Sequence, residues 1–569
     1  MSTVIGIDLG TSTTEAAIFR DGKPEMILNF DGEKVTPSAV GIDSGGNWVA
    51  GARAKAQYLL EPENTAIEVK RKMGTGETIR IGKTEYEPAE LQIRLLSYVR
   101  TYASEYLGEN VDRAVISVPA YFDNLQRLET MMAGTGAGFQ VERILNEPTA
   151  AALCYGLDHL EENSHILVYD LGGGTFDVTL LEMFSGVLEV KASAGDNALG
   201  GKDFDERLMN LLLDGFLRKH GKNLRSDRRA MARIREEAER CKIALSEQEE
   251  YQVLLPALAV VNGVPAEMNE IVTRNQFEEI VKDLMDRTHA PIDRVLTDAG
   301  VSEAQLDQII LVGGSTRMPM VAKDITAFLG KAPKQAVDPD YAVAMGAAIQ
   351  AGLISDQINP EEGLVMTDVC PYTLGIRTAD DGKGNAMSVI IPRNTTIPVT
   401  RRETYCTARD RQRAAMIEVY QGESDYATNN HYLGEFLIDG VPPAPAGKEK
   451  IDVDFMYDVN GLLKVRATLC STGKEMAIQV DMKQEKEEKD LSGWKDKPNA
   501  TAFRTLVRNA EKMISKGQTI PIGKKERLAR MVRNLKEALL EEDSEKAAKM
   551  EYMIKGLIEE IKEDDDSAV

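Results

Sequence analysis

The chain has 569 residues, 43% of them hydrophobic and 28% charged, which is enough for several domains of ordinary soluble size. A net charge of −23 excludes nucleic acid as a main partner, because phosphate contacts need a Lys/Arg surface. Five scattered cysteines, odd in number and without C-x-x-C spacing, exclude a disulfide framework and a zinc site and fit a reducing, cytoplasmic setting.

The start, MSTVIGID, runs straight into a strand with no basic or apolar leader. No apolar run approaches the ~18 residues of a membrane span. Residues 4–19, VIGIDLGTSTTEAAIF, predict strand, turn, strand, with Asp8, Gly10, Thr11, Ser12 and Thr13 at the turn. A helix is predicted over 91–108 and a strand over 114–119. Residues 168–182, VYDLGGGTFDVTLLE, then repeat the first pattern, with Asp170, Gly172, Gly173, Gly174, Thr175 and Asp177 between apolar runs. Glycine lets backbone N–H groups approach a ligand that a Cβ would hold off, and successive N–H groups form an anion cradle. Flanking aspartates repel a bare phosphate but suit one that arrives with Mg²⁺, a cation that takes oxygen ligands. The alternative is a plain glycine-rich β-turn. Two such units predict two related lobes that face one ligand. A helix over 229–248 puts Glu239, Lys242 and Ser246 at i, i+3 and i+7 on one face; read alone, that face is solvated. LVGGSTRMP (311–319) predicts a strand, the Gly313-Gly314 pair and a helix starting at its Ser/Thr pair, a third anion-binding turn. The three turns together point to nucleotide binding.

Near residue 364 the character changes. Short strands follow one another, separated by turn signals such as Asp439-Gly440 and Asn460-Gly461, which predicts an antiparallel β-sandwich. From residue 483 the chain is charged and helical. Phe503, Leu506, Val507, Ala510, Met513 and Ile514 follow helical spacing, as do Leu528 to Leu539 and Met550 to Ile561, so three helices are expected, then a frayed acidic tail at 562–569.

In this order the motifs resemble those of the seventy-kilodalton heat-shock chaperones, the DnaK-type family, along nearly the whole chain. The stretches that carry the resemblance include GIDLGTST (6–13), VPAYFDNLQRLET (118–130), RILNEPTAAALCYGLD (143–158), VYDLGGGTFDVTLLE (168–182), AGDNALGGKDFDERL (194–208), LVGGSTRMP (311–319) and YQGES (420–424). DVCPYTLGI, RRETYCT and the short C-terminus are similar to the HscC branch. The resemblance implies an α/β actin-like two-lobed ATPase domain over 1–363, an interdomain linker over 364–374, a β-sandwich substrate-binding domain over 375–482 and a short helical lid with its tail over 483–569. It implies ATP or ADP between the lobes, with ATP opening and ADP closing a peptide site.

By the same resemblance, Asp8 and Asp170 stand near Mg²⁺ and hold its waters, and potassium lies near Asp8 and Asp177. Lys70 steadies the γ-phosphate and the attacking water, and Glu147, Thr175 and Asp177 complete that environment. Gly10, Thr11, Ser12, Thr13, Gly172, Gly173 and Gly174 cradle phosphate. Glu239, Lys242, Ser246, Gly313, Gly314, Ser315, Arg317 and Asp340 take the adenosine. Ile376, Ile391, Tyr405, Ala408, Ala415 and Ile417 face an extended apolar peptide of an unfolded or client polypeptide. Arg143 and Asp368 meet a J-domain cochaperone, a nucleotide exchange factor completes the cycle, and the protein is expected to be a cytoplasmic monomer. Four features depart from the family pattern: Ala415 in place of a larger β-branched residue, an insertion within 378–386, Thr367 in place of a leucine, and the short lid. They predict a wider pocket that accepts aromatic side chains, weaker coupling, faster peptide release and a dedicated client. The alternatives from other classes are an actin-like filament ATPase and a small-molecule kinase of the same superfold; the long β-domain argues against both.

Overall fold

Val4–Leu9 is apolar along nearly its whole length because it is covered on both faces. It pairs in parallel with Arg113–Val118 and antiparallel with Thr13–Arg20 inside a six-stranded sheet. Strands buried on both sides carry continuous rather than alternating hydrophobicity. Ser164–Leu171 repeats the arrangement in a second six-stranded sheet, parallel to Gln308–Val312 and antiparallel to Phe176–Phe184. The first antiparallel strand pair of each sheet forms a hairpin, through residues 10–12 in the first and 172–175 in the second. This computed structural model describes residues 3–157, 159, 163–184, 186–334, 338–358, 365–379, 385–479, 491–516 and 522–567. Leu364 at the start of the predicted linker, most of the insertion (380–384) and the charged run 483–490 lie outside the described residues.

Two helices of small residues join the sheets. Glu147–Gly156 lies against the strands of the second sheet and Ala342–Ile354 against those of the first. They pack together so closely that a Cβ on Gly346 would stand 1.7 Å from the Ala150 carbonyl oxygen. Helix Pro88–Leu107 opens three residues before the predicted start, since Pro88 suits the first helical position and Glu87 and Glu90 cap each other's backbone. Past Gly313, the expected helix start at Ser315 is corrected: Gly314–Arg317 is a single 3₁₀ turn and the α-helix is Pro319–Leu329. Pro319 disfavours helical geometry at Met318 and then begins the helix itself.

The linker region is a strand. Val365–Cys370 extends the second sheet, with Val365, Met366 and Thr367 parallel to Val187, Leu188 and Glu189. Val365 is 52% exposed, so pairing rather than apolar burial is its main attachment. Thr395–Ile397 then pairs antiparallel with Val365–Cys370 and completes the sheet. Beyond it lie two four-stranded antiparallel sheets. Their inward residues, among them Val419, Val453, Phe455 and Val465, share one core. One strand of the second, Lys474–Gln479, was not foreseen; the Gly473 turn before it, at φ 71, was its signal.

The chain divides into two units, Met1–Val480 and Asp481–Val569. The second packs Val507 and Ala510 of Ala500–Lys516 with Val532 and Leu535 of Ile522–Leu540 and with Ile554 and Leu557 of Ser544–Ser567. Its last helix runs to Ser567, so the expected frayed tail from residue 562 is helical backbone through that point. None of the five cysteines, all among the described residues, is joined in a disulfide. No helix among the described residues is long and apolar enough to cross a membrane.

Candidate functional site

The two hairpin turns press against one another. A Cβ on Gly173 would stand 2.4 Å from Ser12 Oγ, and one on Gly174 would stand 2.8 Å from Thr11 Oγ1. Only a backbone free of side chains lets the turns approach this closely. Between them opens a cavity of about 560 Å³. Asp8, Gly10, Thr11, Ser12, Thr13, Lys70, Glu147, Asp170, Gly172, Gly173 and Thr175 line its deep part. Glu239, Lys242, Ser246, Gly313, Gly314, Ser315, Arg317 and Asp340 line much of the rest. Thus the face of helix Arg228–Glu247 that reads as solvated from sequence alone looks into the cavity. Gly174 and Asp177 stand apart from the lining. Asp177 is buried and its Oδ1 accepts the Tyr121 backbone N–H at 3.0 Å.

Four acids and one lysine set the electrostatics of the deep end. Lys70 Nζ donates to Glu147 Oε1 at 2.5 Å, and both groups are buried. Ser117 Oγ donates to Asp8 Oδ1 at 2.7 Å. Burial, then the Glu147 charge, pushes the Asp8 and Asp177 carboxyls up to about 7, against the smaller opposing pull of Lys70. Asp170 is raised well above its ordinary value by burial and by Glu147, Asp177 and Asp8. Asp177 Oδ2 has no hydrogen-bond partner among the described residues. Such a site is short of positive charge, and its hard oxygen donors fit Mg²⁺. No three acidic, His or Cys groups among the described residues converge to chelate a metal directly.

The outer part is a lattice of ion pairs. Arg317 Nε donates to Asp340 Oδ2 at 2.9 Å. Glu239 takes Lys202 at 3.0 Å and Lys55 at 3.2 Å. Although burial alone would raise the Glu239 carboxyl, Lys202 and Lys55 hold it down at about 2. Seven lining residues escaped the sequence reading, among them Val35, Met318, Pro339 and Val343. Glu15 is a buried acid in an apolar strand, and that oddity was its signal. Ile243 is an exposed isoleucine one residue past Lys242 on the cavity side of its helix. Glu247 closes the same helix and had no distinguishing signal.

The six expected peptide contacts divide. Ile376, Ile391 and Ile417 are buried inside the sandwich core, and Tyr405 and Ala415 are partly buried against it. Ala408 lies exposed in the next turn, tied through Gln412, which accepts from the Ala408 N–H and donates to the Ala414 carbonyl. Asp368 is buried and accepts from Asn146 Nδ2 at 2.8 Å and Thr149 Oγ1 at 3.2 Å. Arg143 is half-buried and donates to Gln350 Oε1 at 3.2 Å.

The profile of the family described as Hsp70 protein matches residues 4–569. The chain belongs to the Hsp70 family. It is similar to the Chaperone protein DnaK of Thermotoga petrophila, at 42% identity over 559 residues, 95% of this chain and 93% of the relative. The Thermotoga maritima and Thermotoga neapolitana proteins of the same name match to the same extent. This Hsp70 is an ATP-dependent molecular chaperone: it binds ATP and ADP, hydrolyses ATP and binds client polypeptides.

Proposed function

We propose that ATP binds in the cavity between the two hairpin turns and that the chain couples its hydrolysis to capture and release of extended apolar peptide by the sandwich. The observation that carries the reading is the close apposition of the turns at Gly173 and Ser12, with Asp8, Asp170, Glu147 and Lys70 around the space they enclose. Backbone N–H groups of both turns bind phosphate oxygens. Lys70 supplies positive charge at the γ-phosphate and, with Glu147 and Thr175, orients the attacking water. Phosphoryl transfer is mainly positioning and charge stabilisation, so no activated nucleophile is required. Asp8 and Asp170 hold Mg²⁺ through its waters, and Asp8 with Asp177 suits potassium; the metal neutralises phosphate charge when bound. Glu239, Lys242, Ser246, Arg317 and Asp340 receive the adenosine.

In the sandwich, strand-type backbone hydrogen bonds give tolerance of sequence, and the space left wide by Ala415 gives selectivity. Exposure of Ile376, Ile391 and Ile417 to peptide requires the sandwich to open, because all three are buried in this conformation. Arg143, whose Nε has no hydrogen-bond partner among the described residues, is the contact for a J-domain cochaperone, with buried Asp368 acting behind it. An exchange factor, a cytoplasmic monomer and a dedicated client complete the proposal.

The deciding experiment is the steady-state ATPase rate with and without a saturating panel of apolar heptapeptides. Stimulation, greatest for aromatic-centred peptides, is expected. A rate moved equally by leucine-centred peptides overturns the wide pocket, and a rate that no peptide moves overturns coupling by peptide alone.

A further inference from the structure

One buried acid beside the cavity has no role in the reading above. Asp205 sits in the first turns of helix Gly201–His220 and is 1% exposed. Lys242 Nζ stands 2.8 Å from its Oδ1 and Lys202 Nζ 3.5 Å from its Oδ2. The two lysines lead in different directions. Lys242 lines the cavity, and its Nζ also donates to the Gly201 carbonyl at 3.1 Å. Lys202 donates to Glu239 Oε1 at 3.0 Å, and Glu239 also takes Lys55 from helix Ala52–Tyr58, which packs on the strands beside the first sheet. A chain of charges thus runs Asp205, Lys202, Glu239, Lys55, with Lys242 as a branch.

Its members depend on one another. Lys202 and Lys242 are themselves almost wholly buried, and a buried ammonium is tolerated only with a well-placed counter-charge. Burial lowers the Lys202 ammonium, yet Glu239 and Asp205 outweigh it and keep Lys202 firmly charged. Three lysines share two carboxylates, so the deeper carboxylate fixes how the lysines divide between them.

We propose that Asp205 is a positioning residue for nucleotide retention: it holds Lys242 toward the cavity and, through Lys202, sets Glu239. One buried carboxylate thereby places two of the side chains that face the nucleoside and one contact that spans the lobes. The proposal rests on the reading that the cavity binds nucleotide.

The test is release of fluorescently labelled ADP from the full-length chain by stopped flow. Failure of the unaltered protein to bind labelled ADP overturns the nucleotide reading itself, and is distinct from every outcome below. Asp205→Asn is expected to speed release about tenfold, the usual size of a single coupling free energy. Asp205→Glu, which keeps the charge, is expected to restore most of the lost retention. Lys242→Met is expected to speed release as well, and the Asp205→Asn/Lys242→Met double variant to go no faster than the faster single change, because the two act as one unit. Additive effects overturn the proposal, as does unaltered release from folded Asp205→Asn. Should Asp205→Asn fail to fold, Lys202→Met carries the test: faster release supports the relay through Glu239, and unaltered release overturns it.

Discussion

At the scale of single residues, the deep end of the cavity is governed by uncompensated negative charge. Lys70→Ala is expected to abolish ATP hydrolysis and leave ATP binding; loss of binding in a calorimetric titration would assign Lys70 a binding or structural role instead. The same change leaves Glu147 buried without its ion pair, which costs about 3–5 kcal/mol where a buried pair is broken, so a drop in melting temperature is expected alongside. The Asp8 and Asp177 carboxyls, raised to about 7, bind protons more tightly folded than unfolded. Their contribution to stability is therefore fully present below about pH 4 and is lost as pH rises through about 7. Urea unfolding between pH 5 and pH 8 without nucleotide or divalent cation is expected to show this loss, and MgADP is expected to flatten it. The two turns were legible in the sequence because glycines between apolar runs mark them. Lys202, Lys55 and Asp205 were not, because their meaning lies in partners brought together by folding: Lys55 and Glu239 are 184 positions apart.

At the scale of elements, the strand Val365–Cys370 carries a defect. Thr367 Oγ1 is buried and has no hydrogen-bond partner among the described residues. A buried hydroxyl without a partner costs about 1–3 kcal/mol, and Thr367→Val keeps its shape while removing it. That variant is expected to slow hydrogen exchange of the amides at 365–369; unchanged or faster exchange would show that the hydroxyl is satisfied in solution. Just beyond, Tyr372 Oη donates to the Tyr121 carbonyl at 2.7 Å, while the Tyr121 N–H serves Asp177. Tyr372→Phe removes the first of these bonds, and a lower stimulation of ATPase by peptide is expected, with the unstimulated rate as reference. Hairpins, the cavity helix and the three C-terminal helices were legible from period and turn residues. The strand character of 365–370 was not, since a short run interrupted by Pro371 gives no alternation to read, and its pairing partner lies far back in the chain.

At the scale of the whole molecule, the α/β part and the β-sandwich are tied at several separate points. Arg393 grips Asp298 through two bonds of 2.7 Å, Asn460 Oδ1 accepts the Ile144 N–H at 3.0 Å, and Asn124 Oδ1 accepts the Leu463 N–H at 2.8 Å. Met1–Val480 is accordingly expected to melt as one calorimetric transition, with the separately packed helices Asp481–Val569 giving another. A chain ending at Val480 should lose only the second; loss of both would show that the helices underwrite the rest. The change from α/β elements to short antiparallel strands was legible in the pattern near residue 364, whereas these cross-contacts were hidden in ordinary turn residues. The second sheet has a further consequence. Without Val365–Cys370, the strand Val187–Asp196 presents a row of bare backbone donors and acceptors along residues 187–189, the feature that lets sheets of separate molecules join. Val365–Cys370 is thus also the cover over that edge.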